Sequence, residues 1–350
     1  QGLAREALAR YQKVLKGAED GAIRIDALNQ TGRLLDKAGK TDEAYENFAA
    51  AKELIKKNDN FETVDIKAQH KVIAQMRDLD WTGKIPVPPP LDPDFAPGQL
   101  VFLIGFPRSG TTLLQEILGR HKNVHVSEEE PTLRKVVDMI EALEGDYPSS
   151  IQSLTPEMIK DLRALYFYQA KNFADFDKTT TLVDKMPMNL MQVPVILTVF
   201  PEAKIIFALR HPKGTILSCL MQNFKLNKAM VNMTGLDETT RFYALLMGMW
   251  KKISGQRKIP FHYIRYENLI ENMETETKNL TEFLGLSWQP EMMEFSKGAR
   301  DKGLINTPSY HQVIQPIYTG SVEKWQAYNK YFAPYEARLK PFYELFGYSG

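Results

Sequence analysis

The segment Val101-Phe-Leu-Ile-Gly105-Phe-Pro-Arg108-Ser109-Gly110-Thr111-Thr112-Leu-Leu-Gln-Glu-Ile-Leu118 gathers, within 18 residues, what phosphate binding requires. Gly105 and Gly110 permit backbone angles closed to side chains, so successive N–H groups can close around an anion. The amphipathic stretch that follows reads as a helix, whose start adds free N–H groups and the positive end of its dipole. Hydroxyls at Ser109, Thr111 and Thr112 supply further donors, and Arg108 supplies a cation inside the loop. The nucleotide-triphosphatase pattern G-x-x-x-x-G-K-[ST] needs a Lys after its second Gly, but here Thr111 takes that place. A second apolar run, Lys204 to Leu209, leads straight into Arg210 with no Asp to hold magnesium. The loop therefore suits a phosphate carrying a transferable group better than a metal-chelated triphosphate, and no metal is expected.

Other segments carry polar residues in suggestive company. Arg210 ends a candidate strand and Ser218 lies eight residues on; in general an Arg can offer phosphate a bidentate fork and a Ser a hydroxyl. Ser127-Glu128-Glu129-Glu130-Pro131 concentrates carboxylates, for which an exposed acidic turn is the ordinary explanation at Glu128 and Glu130. Val183-Asp-Lys185-Met-Pro-Met-Asn189, Tyr263-Ile-Arg-Tyr266 and the tract from Thr307 through Ser309 to Lys324-Trp325 complete the set. His121, His125 and His311 lack metal-ligand spacing.

Positioning these residues calls for strands buried on both faces. Leu100 to Ile104 and Lys204 to Leu209 are continuous apolar runs of that kind, with weaker candidates at Thr181 to Val183 and Pro260 to Arg265. Their alternation with helical patterns predicts an α/β fold, a P-loop-type central parallel β-sheet flanked by helices. The proline-rich stretch over residues 84–98 reads as a stiff linker. Residues 1–83 before it read as a small all-helical region. There Arg5-Glu-Ala-Leu-Ala-Arg-Tyr11 and Asp42-Glu-Ala-Tyr-Glu-Asn-Phe48 resemble each other at a spacing of 37. The run Ala27 to Ala51 resembles a tetratricopeptide repeat (TPR), two helices with small residues where they cross, though the usual period is about 34. So few repeats cannot bury a solenoid core alone, so this TPR-like region either packs on the rest of the chain or binds a protein partner.

Pro107-Arg-Ser-Gly-Thr-Thr112 resembles the 5′-phosphosulfate loop of sulfotransferases that use 3′-phosphoadenosine 5′-phosphosulfate (PAPS). Its Arg is similar to that of the tyrosylprotein sulfotransferases and of the bacterial sulfotransferases that carry tetratricopeptide repeats. The resemblance runs over about residues 100 to 345 and implies a sulfotransferase domain at 99–350. It implies that Arg108, Ser109, Gly110, Thr111 and Thr112 bind the donor's 5′-phosphosulfate, and that Arg210 and Ser218 bind its 3′-phosphate. It implies Glu129 as general base, Lys185 facing the sulfuryl group and bridging oxygen, and Ser309 assisting at the reacting centre. Tyr266 would contact the adenine and Lys324 would reach the donor phosphates. The products would be a sulfated hydroxyl, on a protein tyrosine, carbohydrate or small molecule, and adenosine 3′,5′-bisphosphate. Two other readings are a P-loop nucleotide kinase and a catalytically inactive TPR adaptor.

Composition narrows the field. The 44 Lys and Arg nearly cancel the 43 Asp and Glu, so no global field draws nucleic acid or membrane. The single cysteine, Cys219, excludes an internal disulfide and a Cys-based zinc site, and reads as a small buried hydrophobe. No apolar run approaches the ~18 residues of a membrane span, and no signal-peptide core opens the chain. A cytoplasmic location is the expectation. The chain starts inside a helical pattern without an initiator Met, as a trimmed fragment would, so an upstream targeting sequence is left open.

Overall fold

Strand β1 (Gln99–Gly105) is buried from Leu100 onward, because it lies at the centre of a sheet. The computed structural model describes residues 2–17, 19–57, 61, 63–84, 86–90, 95–143, 145–295, 320 and 322–350. Strands β2 (Val124–Glu128), β3 (Thr181–Lys185), β4 (Lys204–Leu209) and β5 (Phe261–Arg265) complete five strands in the order β2-β3-β1-β4-β5. Every pairing is parallel, with Leu103 opposite both Lys185 and Ile206, and Glu128 opposite Lys185. The parallel sheet flanked by helices is the one the apolar runs predict. β2 was not among the expected strands. It lies at a sheet edge and is mostly half-buried, so it lacks the continuous apolar run of an inner strand.

Beneath the loop, all eight residues of the helix Thr111–Leu118 are buried. Leu113, Leu114, Ile117 and Leu118 join Val101, Leu103, Val183, Ile206 and Ile264 in one apolar cluster. Burying each such side chain stabilises by about 1.5–3 kcal/mol, so the loop is tied to the best-packed part of the sheet. The segment between Thr132 and Lys178 forms the helices Thr132–Glu141 and Pro156–Ala170 with a 3-10 turn, Ser149–Ser153, between them.

In space the chain forms two compact units. The sheet belongs to one, made of Lys71–Arg210 with the stretch that starts at Leu245. The other combines the N-terminal helices up to His70 with His211–Ala244 and Gly320–Gly350. Within this helical unit, Asp20 caps the helix Gly21–Lys37, its Oδ1 accepting the Ala22 N–H at 2.7 Å. The helix Thr41–Lys56 packs beside it. At their crossing a Cβ on Gly32 would lie 2.7 Å from the fully buried Phe48 ring. Asp42 accepts from Lys330 and Tyr331, and Tyr45 stacks on Tyr331. Cys219 is buried. No helix among the described residues is long and apolar enough to cross a membrane.

Candidate active site

Because the strands are parallel, their C-terminal ends share one edge of the sheet, the edge where open α/β folds bind ligands. Each of the five delivers a candidate residue there. The loop Arg108 to Thr112 follows β1, Glu129 follows β2, Lys185 ends β3, Arg210 follows β4, and Tyr266 follows β5.

The loop itself is tightly built. A Cβ on Gly105 would lie 2.7 Å from both the Ala208 carbonyl and Ser109 Oγ, so only glycine fits between β4 and the loop. The Ser109 N–H donates to the Phe106 carbonyl at 3.2 Å. Gly110 has φ +98°, and Tyr266 Cδ2 would be 2.7 Å from a Cβ placed on it. The Tyr266 ring thus lies close against the loop glycine, with Cδ2 nearest. Arg210 sits over the same ring at 4.9 Å and donates from Nη1 to the Arg108 carbonyl at 3.3 Å. Loop, cation and aromatic ring form one assembly. The other tyrosine, Tyr263, accepts from the Trp250 indole at 2.6 Å and packs among Phe207 and Phe261.

On the other side of β1, Lys185 is completely buried and donates from Nζ to Glu129 Oε1 at 2.7 Å. The Glu129 side chain remains 38% exposed, open to a second reactant. Its N–H also donates to the Lys185 carbonyl at 2.9 Å. Among the described residues, Arg108 (φ 73°) and Glu129 (φ 54°) are the non-glycine residues with positive φ. Left-handed backbone costs an ordinary residue about 1–2 kcal/mol, and both instances fall on candidate site residues. Such strain concentrates where side chains must be aimed.

Sequence reasoning passed over the neighbour of Lys185. Asp184 is fully buried on β3, accepting from Tyr166 Oη at 2.7 Å and Asn189 Nδ2 at 3.2 Å. Burial pushes its carboxyl up to about 6, against the pull of the Tyr166 hydrogen bond and the Lys185 charge. The spacing Asp184 to Asn189 was visible, but Tyr166 comes from a helix whose place no local pattern predicts.

Two candidates belong to the helical unit. Ser218 lies on the helix Pro212–Leu220. Lys324 donates to Asp36 Oδ2 at 2.5 Å, and Tyr328 donates to Asp36 Oδ1 at 2.9 Å. Ser309 lies outside the described residues.

The loop fits an anionic donor. Ser109 Oγ is buried and, among the described residues, has no hydrogen-bond partner; such an orphaned hydroxyl calls for a partner from outside the protein. Glycines that exclude any Cβ and a guanidinium on the loop carbonyl make a cradle for phosphate oxygens.

The chain is 28% identical over 324 residues to an uncharacterized protein of Aquifex aeolicus, covering 86% of this chain and 39% of that one. It is 23% identical to protein-tyrosine sulfotransferase A of Caenorhabditis elegans, covering 64% of this chain and 60% of that one. The chain thus spans less than two thirds of the length of these curated relatives. Among solved structures, the sulfotransferase domain from the curacin biosynthetic pathway aligns with a TM-score of 0.48 at 22% identity, covering 73% of this chain and 99% of that one. The profile of the sulfotransferase family matches residues 100–290, more than half of the sequence, and the chain belongs to that family.

Proposed function

We propose that this chain transfers the sulfuryl group of PAPS to an acceptor hydroxyl. The observation that carries the reading is the convergence of five candidate residues or loops at the C-terminal ends of five parallel strands. In this reading residues 84–98 link a TPR-like region, 1–83, to the transferase domain, 99–350.

Gly110, Thr111 and Thr112 hold the 5′-phosphate, with Ser109 Oγ as a further contact. Arg210 and Ser218 serve the 3′-phosphate, Tyr266 meets the adenine, and Lys324 reaches the phosphates. PAPS supplies a sulfur centre whose leaving group is already a phosphate, so catalysis falls to alignment and charge stabilisation. Glu129 takes the acceptor's proton as the new oxygen–sulfur bond forms. The old oxygen–sulfur bond breaks with its electron pair going to the departing adenosine 3′,5′-bisphosphate. Lys185 and Arg108, with Ser309, stabilise charge on the sulfuryl and leaving oxygens. Lys185 also orients Glu129 through the ion pair described above.

Relatives named as protein-tyrosine sulfotransferases make the tyrosyl hydroxyl the first acceptor to try. The test is incubation with sulfur-labelled PAPS and three acceptors: a tyrosine peptide, an oligosaccharide and a simple phenol. Acceptor-dependent release of adenosine 3′,5′-bisphosphate with label on one acceptor is the expected result. Label transfer to none, from protein shown to be folded, counts against the reading.

A further inference from the structure

The helix Pro212–Leu220 ends without the left-handed glycine that commonly satisfies the last carbonyls of a helix, since Met221 at its cap has φ −73°. Backbone N–H groups of Met221 and Gln222 reach the Leu217 and Cys219 carbonyls, and three side chains of the N-terminal helices add to them. Lys52 is 2% exposed, and its Nζ donates to the Cys219 carbonyl at 3.2 Å and the Gln222 carbonyl at 2.7 Å. Asn29, 3% exposed, donates from Nδ2 to the Met221 carbonyl at 3.1 Å. Arg33 donates to the same carbonyl at 3.1 Å, to Gln222 Oε1 at 3.2 Å, and from Nε to Asn29 Oδ1 at 3.0 Å. Two cations thus sit at the negative end of a helix dipole, hydrogen-bonded to carbonyls of its last turn and of the two residues that follow it.

Burying an ammonium is costly, and burial pushes Lys52 down to about 8. Helix packing alone would be served by a Leu or Met at that position. What the cap fixes is the last turn of the helix, and Ser218 is in that turn, one residue before Cys219. The same N-terminal helices also hold Lys324, through Asp36.

We infer that Lys52, Arg33 and Asn29 position Ser218: within the helical unit they fix the helix turn that carries the hydroxyl to which the proposed function gives the donor's 3′-phosphate. The inference rests on the proposed role of Ser218 and goes beyond it by naming what aims that hydroxyl. Lys52 and its companions touch no donor atom in this account, so they are positioning residues.

Calorimetric titration with adenosine 3′,5′-bisphosphate and with adenosine 5′-monophosphate separates aiming from general stability, because only the first ligand carries the 3′-phosphate. Lys52→Met should weaken the bisphosphate about tenfold, the scale of one charge-assisted hydrogen bond, and leave the monophosphate within about twofold. Lys52→Arg should restore most of the loss. In a Ser218→Ala background, Lys52→Met should add little, because the hydroxyl it aims is gone. If Lys52→Met does not fold, Arg33→Met carries the same comparison. Equal weakening of both nucleotides, or no change in either while Ser218→Ala still weakens the bisphosphate, overturns the inference alone. A Ser218→Ala protein that binds the bisphosphate like the parent overturns the assignment of Ser218, and the inference falls with it.

Discussion

Lys185 and Glu129 are joined twice, once through side chains, Nζ to Oε1 at 2.7 Å, and once through backbone, Glu129 N–H to Lys185 O at 2.9 Å. The carboxylate stands at the end of an edge strand with one oxygen engaged by a fully buried ammonium. Its left-handed backbone turns it out of the line of β2. A carboxylate held this way has its orientation set by the protein itself.

Glu129→Gln keeps the shape and a hydrogen-bond acceptor for Lys185 but cannot take a proton. A general base contributes ~10²–10⁴ in rate, so kcat should fall on that scale. Binding of adenosine 3′,5′-bisphosphate, measured by calorimetry, should stay near that of the parent. Loss of nucleotide binding in this variant would remove Glu129 from the role of base.

Gly110→Ala should damage the loop. The new methyl group meets Tyr266 at 2.7 Å, at a φ of +98° that L-residues avoid. The backbone term alone costs about 1–2 kcal/mol, so thermal unfolding should shift down and bisphosphate affinity should fall. Gly248→Ala is the control. It lies within the helix Leu236–Gln256 with nothing within 4 Å of its Cβ position, and alanine there should stabilise by about 0.5–1 kcal/mol. Equal effects of the two substitutions would contradict the crowding described at the loop.

Asp184 gives a signature in pH. Its folded-state pKa is raised from 3.8 to about 6 by burial. Between those values the native state holds a proton that the unfolded chain releases. Its contribution to stability is therefore full below about pH 4 and is lost as pH rises through about 6. Asp184→Asn removes that titration. Melting temperatures of parent and variant across pH 4 to 7 should show the variant gaining on the parent as pH rises. A constant difference across that range would mean that Asp184 does not titrate there.

Much of this site was legible in the chain because it is local. Gly105, Arg108 and Gly110 follow a continuous apolar run, and that run is buried for the reason that makes it readable: neighbours on both sides of β1. Arg210 was readable in the same way, as the residue where an apolar run stops, whereas Tyr266 was singled out by the family resemblance and not by a local pattern. β2 was not, because an edge strand with half-buried positions alternates no more cleanly than an exposed turn. Three features depend on distant chain and leave no local trace. Tyr166 bonds Asp184, Lys52 reaches Cys219 and Gln222, and Asp36 pairs with Lys324. The left-handed backbone at Arg108 and Glu129 was equally invisible, since neither position carries a glycine.

Which nucleotide the protein binds tests the proposed function most directly. Thermal unfolding should be followed with adenosine 3′,5′-bisphosphate, ADP and ATP, each with and without magnesium. At 100 times its Kd a ligand stabilises by about 2.7 kcal/mol, a shift that is readily seen. The bisphosphate should stabilise the protein, with or without magnesium, and the effect should be lost in Arg210→Ala. Stabilisation by magnesium–ATP with none from the bisphosphate would contradict the proposed function and make the chain a phosphotransferase.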